Sequence, residues 1–303
     1  MPGHQGDRAF LCKGVGLAMI FVGSARNGLG PRLLAAFAYS LPILLIVAPL
    51  ASFLAYSFFR MEGGQIIADF GLGNYRRIFT DAIFIPILWR TCLLCLAVAA
   101  LAILIGFPVA FLLANLKGRR RYLVLLMVLV PLLMSYIIKI YAIRSILGGT
   151  GFLNQFLLWT GLVDAPLTLF VFNLNAVLLT LTILLIPFAI LPIFLSLERI
   201  PRDLIEASSD LGASSLQTFA RIILPLSVPG IVTAASFVFV LAMGDFLTPQ
   251  MVGGHSGFTF GRIVYSQFGT AFNWPFGAAL ATVLALVVIA VIAVGSRLEA
   301  RHR

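Results

Sequence analysis

The sequence predicts an all-α integral membrane protein with six transmembrane helices. Three observations carry this expectation. Of the 303 residues, 61% are hydrophobic and only 11% are charged, against roughly 25% charged in an average soluble domain. The apolar residues fall in blocks, and several blocks reach the roughly 20 residues that cross a bilayer as a helix. Alternating segments of about ten residues, the mark of a transmembrane barrel, are absent, whereas a helix satisfies its own backbone hydrogen bonds in lipid.

The expected spans are Leu33–Phe59, Thr91–Leu116, Tyr122–Ala142, Ala176–Leu197, Val228–Gly244 and Phe276–Ser296. Lysine and arginine set their direction. One side carries Arg8, Lys13, Arg26 and Arg32, then Lys117, Arg119, Arg120 and Arg121, then Arg199, Arg202 and Arg221, then Arg297, Arg301 and Arg303. The other carries Arg60, Arg76, Arg77, Arg90, Arg144 and Arg262, and Lys139 lies within a span. Basic residues collect on the cytoplasmic side, so both termini are expected inside. Pro42, Pro49, Pro108, Pro131, Pro187 and Pro192 fall within spans, either kinking helices that move or reflecting the ordinary frequency of proline in membrane helices. Three external segments, Arg60–Arg90, Ile143–Asn175 and Asp245–Pro275, are long enough to hold short re-entrant or interfacial helices. They could also receive a docking protein.

The net charge of +10 would point to nucleic acid in a soluble protein. Here the bias toward basic cytoplasmic loops accounts for it, and no nucleic-acid partner is expected. Cys92 and Cys95 form a C-x-x-C within the apolar run TCLLCLAVAALAILIGF, without the polar surroundings of a redox or zinc site. Cys12, His4, His255 and His302 are scattered, so no metal and no cofactor are expected. The stretch Val15–Ala25 is too short to span and reads as part of a cytoplasmic or interfacial segment over residues 1–32. No G-x-x-x-x-G-K-[ST] occurs, so a chain of this kind would rely on another subunit for ATP chemistry.

The segment between spans four and five is the most informative. It reads ERIPRDLIEASSDLGASSLQTFARIILPLSVPG. From Glu198 to Arg221 it holds three arginines and four acids, so it is not simply a basic anchor. Pro201 suits a first helical turn. Asp203 and Glu206 lie near that helix start, where acids oppose the dipole favourably. Ala207, Ser208, Ser209, Gly212, Ala213, Ser214 and Ser215 are small and would leave the backbone open to close approach. Leu211, apolar in a polar loop, would anchor a docked partner surface.

This segment resembles the EAA loop of ATP-binding-cassette import permeases, a pattern of E-A-A, three residues, G, nine residues, I-x-L-P. The chain has Glu206, Ala207, Ser208, three residues, Gly212, nine residues, then Ile222, Ile223, Leu224 and Pro225. Serine replaces the third small residue. The segments IKIYAIRSILGGTGFLNQFLLWTGLVDAPLTLF, LPIFLSLERIP, GDFLTPQMVGG and FNWPFGAAL are similar to parts of the spermidine/putrescine permeases, although permeases for ferric ion and other small solutes share much of this frame. The resemblance implies a type I importer permease fold in the inner membrane. It implies a coupling surface at Glu206, Ala207, Ser208, Asp210, Leu211, Gly212, Ala213, Ile222, Leu224 and Pro225. It also implies an ATPase subunit pair, a second permease subunit and a periplasmic solute-binding protein. Phosphonate, opine or amino-acid-like solutes, or an ATP-independent secondary transporter, are the alternatives to a polyamine importer. The implied organisation is a segment 1–32, a first helix with external loop over 33–90, a core over 91–296 with the coupling loop at 198–225, and a tail over 297–303.

Ionisable groups inside spans mark function by default. Asp245, at the end of span five, is either a pathway carboxylate for a cationic amine or a helix-end residue at the water boundary. Lys139 either snorkels to headgroups or pairs with Asp245 as a gate. Tyr136, Tyr141 and Phe246 offer aromatic faces for cation–π contact nearby.

Overall fold

The computed structural model describes residues 29–300; the segment Val15–Ala25, Cys12 and the histidines at 4 and 302 lie outside them. The chain divides into two units, Met1–Ala55 and Tyr56–Arg303. Within the first, α1 (Leu29–Tyr56) is a helix of 28 residues. Pro42 and Pro49 lie inside it without ending it. Its segment Tyr39–Tyr56 has the length and composition of a membrane span.

The second unit opens with a small hairpin, β1 (Arg60–Glu62) paired antiparallel to β2 (Gln65–Ile67). Its two-residue turn, Gly63-Gly64, has φ of 59° and 82°, the double-positive geometry that twists with its strands and favours glycine. The expected fold was helical throughout; this hairpin is the departure. Then come α2 (Gly73–Thr80), α3 (Phe84–Asn115), α4 (Arg119–Leu133), α5 (Tyr136–Leu147), α6 (Phe152–Trp159), α7 (Leu174–Glu198), α8 (Arg202–Asp210) and α9 (Ser215–Thr218). A π-helical stretch at Phe219–Ile223 leads into α10 (Leu224–Gly244), followed by α11 (Leu247–Val252), α12 (Phe260–Gly269) and α13 (Trp274–Ala300).

Four long apolar stretches of this unit, Phe84–Asn115, Leu174–Glu198, Ser215–Gly244 and Trp274–Arg297, are each long and apolar enough to cross a membrane. The third expected span, Tyr122–Ala142, is not one straight helix. It breaks at Met134-Ser135, and the direction of Tyr136–Trp159 lies 97° from that of Arg119–Leu133. At 15 residues, α4 rises about 22 Å, short of a hydrocarbon core of about 30 Å. Six spans follow if this bent pair counts as one.

The core is built on α7, whose buried residues include Leu181, Ile190 and Ile193, between α3 (Val98, Ala102) and α10 (Val238, Met243). Small residues permit the close approach that membrane helices need. A Cβ on Gly106 would stand 3.4 Å from the Cβ of Ala189, and one on Gly230 would lie 2.9 Å from the carbonyl oxygen of Pro192 and collide with Ser196. Cys95 is buried in α3 with its Sγ 3.8 Å from Sδ of Met243; with Cys92 half-buried on the same helix, the pair acts as packing. Pro108, Pro187 and Pro192 sit inside helices that continue through them. A second cluster joins Phe84, Phe260, Phe276 and Leu280, tying α3 and α12 to α13. Phe84 and Phe276 meet edge to face, with centroids 5.3 Å apart.

Candidate functional site

At one end of the bundle lies the segment between α7 and α10. The sequence leads one to expect a single short helix there; the structure has two, joined by a turn at Leu211-Gly212. Pro201, with φ −62° and ψ 133°, is the residue before the first helical position rather than within the first turn. Asp203 then occupies the first turn of α8. The helix ends in a Schellman motif. The N–H of Gly212 donates to the Ser209 carbonyl at 2.9 Å, and that of Ala213 to the Ser208 carbonyl at 3.0 Å. Gly212 has φ +78°, and no atom lies within 4 Å of where its Cβ would stand. Glycine is therefore required by the left-handed backbone of the turn, not by crowding within this chain.

The second helix starts with a capping box. The Gln217 N–H donates to Ser214 Oγ at 3.4 Å, and the Ser214 N–H donates to Gln217 Oε1 at 2.8 Å. Ser208 is buried, and its hydroxyl lies 2.9 Å from the Thr218 hydroxyl. Serine in place of the third small residue thus joins the two short helices. Expected exposure at that position is overturned, because Ser208 faces α9. Glu206, Ala207, Asp210, Leu211 and Gly212 form the exposed surface, with Leu211 87% exposed and Leu216 76% exposed. Ala213 and Ile222 are half-buried, and Leu224 and Pro225 are exposed. Leu224 N–H reaches back to the Phe219 carbonyl, five residues away. The turn widens just ahead of Pro225, whose ring would otherwise press on the carbonyl four residues back. Phe219 packs edge to face against Phe107 and Phe111 of α3, at 5.9 and 6.0 Å. The end of α9 is thereby packed on α3 through these rings and runs on through the π-helical stretch into α10.

At the opposite end, Asp245 follows α10. Its Oδ1 accepts from the N–H groups of Leu247 and Thr248 at 2.9 and 3.2 Å. Its Oδ2 accepts from the Tyr136 hydroxyl at 2.5 Å and from the Thr248 hydroxyl. Tyr136 is the first residue of α5, so this knot ties the break of the third span to the end of α10 and the start of α11. Sequence reading places Tyr136 near Asp245 as an aromatic face; its role here is a hydroxyl donor. Lys139 makes no ion pair with Asp245 among the described residues, so the proposed pairing as a gate is not what the structure contains. Its ammonium lies 5.5 Å from the centre of the Tyr136 ring. Phe246 stacks on Tyr265 at 4.3 Å, and Tyr141 is exposed. The carboxylate is thus held by four neutral donors.

Arginines at this end are bound into the fabric. Arg77 covers the Phe276 ring at 4.4 Å and Arg144 the Phe172 ring at 5.0 Å. Arg90 donates to the Ser256 carbonyl at 2.7 Å, and Arg262 to the Gly254 carbonyl at 2.8 Å. The Gly254–Ser256 turn is thereby held from α3 and from α12. Sequence reading missed these pins, whose partners in the first case are 166 residues apart.

A helical membrane unit with this exposed two-helix loop defines a permease class. Residues 102–298 match the family described as binding-protein-dependent transport system inner membrane component. The chain belongs to that family, the permeases of ABC importers, which sit in the inner membrane as multi-pass proteins. It is 34% identical over 247 residues to the spermidine/putrescine transport system permease protein PotB of Escherichia coli, covering 81% of this chain and 89% of that one. It is 32% identical over 291 residues to the sulfoquinovosyl glycerol transport system permease protein SmoG of Agrobacterium fabrum, covering 89% and 91%. In fold it is similar to a chain of a bacterial ABC transporter that imports alginate, with a TM-score of 0.65 at 20% identity over 89% of this chain and 96% of that one.

Proposed function

We propose that this chain is the permease subunit of a polyamine importer, with both termini in the cytoplasm and residues 198–225 as the surface that receives an ATPase subunit. The observation that carries the coupling role is the α8–Gly212–α9 unit. It is internally hydrogen-bonded yet presents Leu211 and Leu216 outward, as an apolar anchor for a partner groove. ATP chemistry then belongs to an ATPase pair, solute delivery to a periplasmic binding protein, and the remaining wall of the pathway to a second, different permease subunit. The likeness to PotB supports a polyamine as substrate. The likeness to SmoG over a similar length supports a second reading, a permease for a different small solute on the same frame.

The chemistry around Asp245 favours a cation. Its carboxylate accepts hydrogen bonds from neutral donors only, and Arg77, Arg90, Arg144 and Arg262 at that end are held on rings or carbonyls. Asp245→Asn preserves the cap to Leu247 and Thr248 through Oδ1, and both hydroxyls can turn to accept from the new amide. The variant is therefore expected to assemble normally. ATP-driven uptake of spermidine and putrescine by proteoliposomes should fall roughly tenfold, since a hydrogen bond to a charged group contributes about 1.5–3 kcal/mol. Unchanged uptake at equal abundance would return Asp245 to a purely structural cap.

Orientation is checked by labelling. A single cysteine at Arg120 is expected to resist a membrane-impermeant thiol reagent in intact cells, and one at the exposed His255 to react. The reverse pattern would invert the topology.

A further inference from the structure

The 198–225 end of the bundle holds a cavity of about 220 Å³, lined in part by that segment but not by its exposed Leu211 and Leu216. Its polar lining is Asn115 from α3, Arg121 from α4, Glu198 from α7 and Arg202 from α8, set among apolar walls such as Phe111 and Ile223. Arg121 lies over the Phe194 ring at 4.8 Å and its side chain is 21% exposed. Its Nη2 is buried in ion-pair contact with Glu198, but without an aligned hydrogen-bond acceptor. A guanidinium carries five N–H donors in a fork, so one carboxylate at a poor angle leaves several unused. Within the lining, two cations oppose one anion.

We propose that this cavity binds the phosphate group of an anionic phospholipid from the cytoplasmic leaflet, with Arg121 and Arg202 as its principal donors and the Asn115 amide beside them. Three features converge. Guanidinium groups match phosphate oxygens two at a time. The volume equals several waters at about 30 Å³ each, which is room for a phosphate group. The apolar lining, Phe111, Ala114, Leu197 and Ile223, lies at the ends of the spans α3 and α7 and just before α10, where the glycerol end of a lipid would meet it. The leaflet assignment rests on the orientation proposed above; the phosphate chemistry does not. Because α8 supplies Arg202, a lipid held here would stand behind the coupling surface and link its position to membrane composition.

The test uses the full-length chain, purified with its associated subunits and reconstituted in phosphatidylcholine nanodiscs containing phosphatidylglycerol. After extraction in mild detergent, native mass spectrometry counts the phosphatidylglycerol that stays bound. At about 1 kcal/mol per basic residue near an anionic headgroup, Arg121→Gln and Arg202→Gln should each retain about fivefold less than wild type. Arg120→Gln, outside the lining, should retain as much as wild type. Arg202 is exposed, so its substitution leaves the fold intact even if loss of Arg121 disturbs it. Equal retention in all four proteins would overturn the proposal. So would stabilisation of the lipid-stripped protein by inorganic phosphate with no retained phosphatidylglycerol, which would make the ligand a soluble anion. Loss of the ATPase from Arg202→Gln with lipid retention unchanged would overturn it too, by assigning the cavity to that subunit.

Discussion

Gly212→Val is expected to abolish ATP-driven uptake while the protein remains at normal abundance in the membrane. Insertion depends on the apolar spans, which this change leaves alone. Gly212 occupies φ +78°, a region where a β-branched residue is a genuine outlier. Forcing valine into it costs on the order of 1–3 kcal/mol. The turn escapes that cost by abandoning the bonds from Gly212 and Ala213 to Ser209 and Ser208. The angle between α8 and α9 then changes, and the Ser208–Thr218 contact goes with it. Gly212→Asn separates the causes, because asparagine tolerates the left-handed region and no atom of this chain crowds a Cβ there. Asparagine should keep uptake near the wild-type rate. If both variants fail alike, bulk at a docked interface is the reason instead. If neither fails, the loop does not couple.

Most of the fold was legible because hydropathy over 20-residue windows is a strong and local signal. Five of the six expected spans reappear as long helices, with ends that shift where the apolar pattern continues past a single charge. Phe84 replaces Thr91 as the start of the second because Ile85, Ile87, Leu88 and Trp89 extend the apolar run around Arg90. The third span was misjudged for a physical reason. In VPLLMSYII only Ser135 and the Tyr136 hydroxyl are polar, and the bend there is accompanied by the Tyr136–Asp245 hydrogen bond across 109 residues, which no local pattern announces. The coupling loop was legible in its residues and less so in its shape. Glycine followed by Ser-x-x-Gln is a helix stop and a new capping box, and that signal was available. The Gly63-Gly64 hairpin was likewise readable from its turn. The arginine pins and the Ser208–Thr218 bond were not, because each joins segments that only the fold brings together.

The second large effect concerns Leu211. An exposed leucine at the tip of a polar loop has no role in holding this chain together, since it is 87% exposed. Fully burying a leucine side chain against a partner contributes about 1.5–3 kcal/mol, and an aspartate there would bury an unpaired charge as well. Leu211→Asp should therefore leave folding and insertion unchanged and release the ATPase subunit. The most direct measurement is the amount of ATPase that co-purifies in mild detergent with wild-type and Leu211→Asp protein of equal membrane abundance. The expected result is a loss of at least tenfold, with uptake lost in parallel. Full recovery of the ATPase with Leu211→Asp would contradict the assignment of residues 198–225 as the coupling surface.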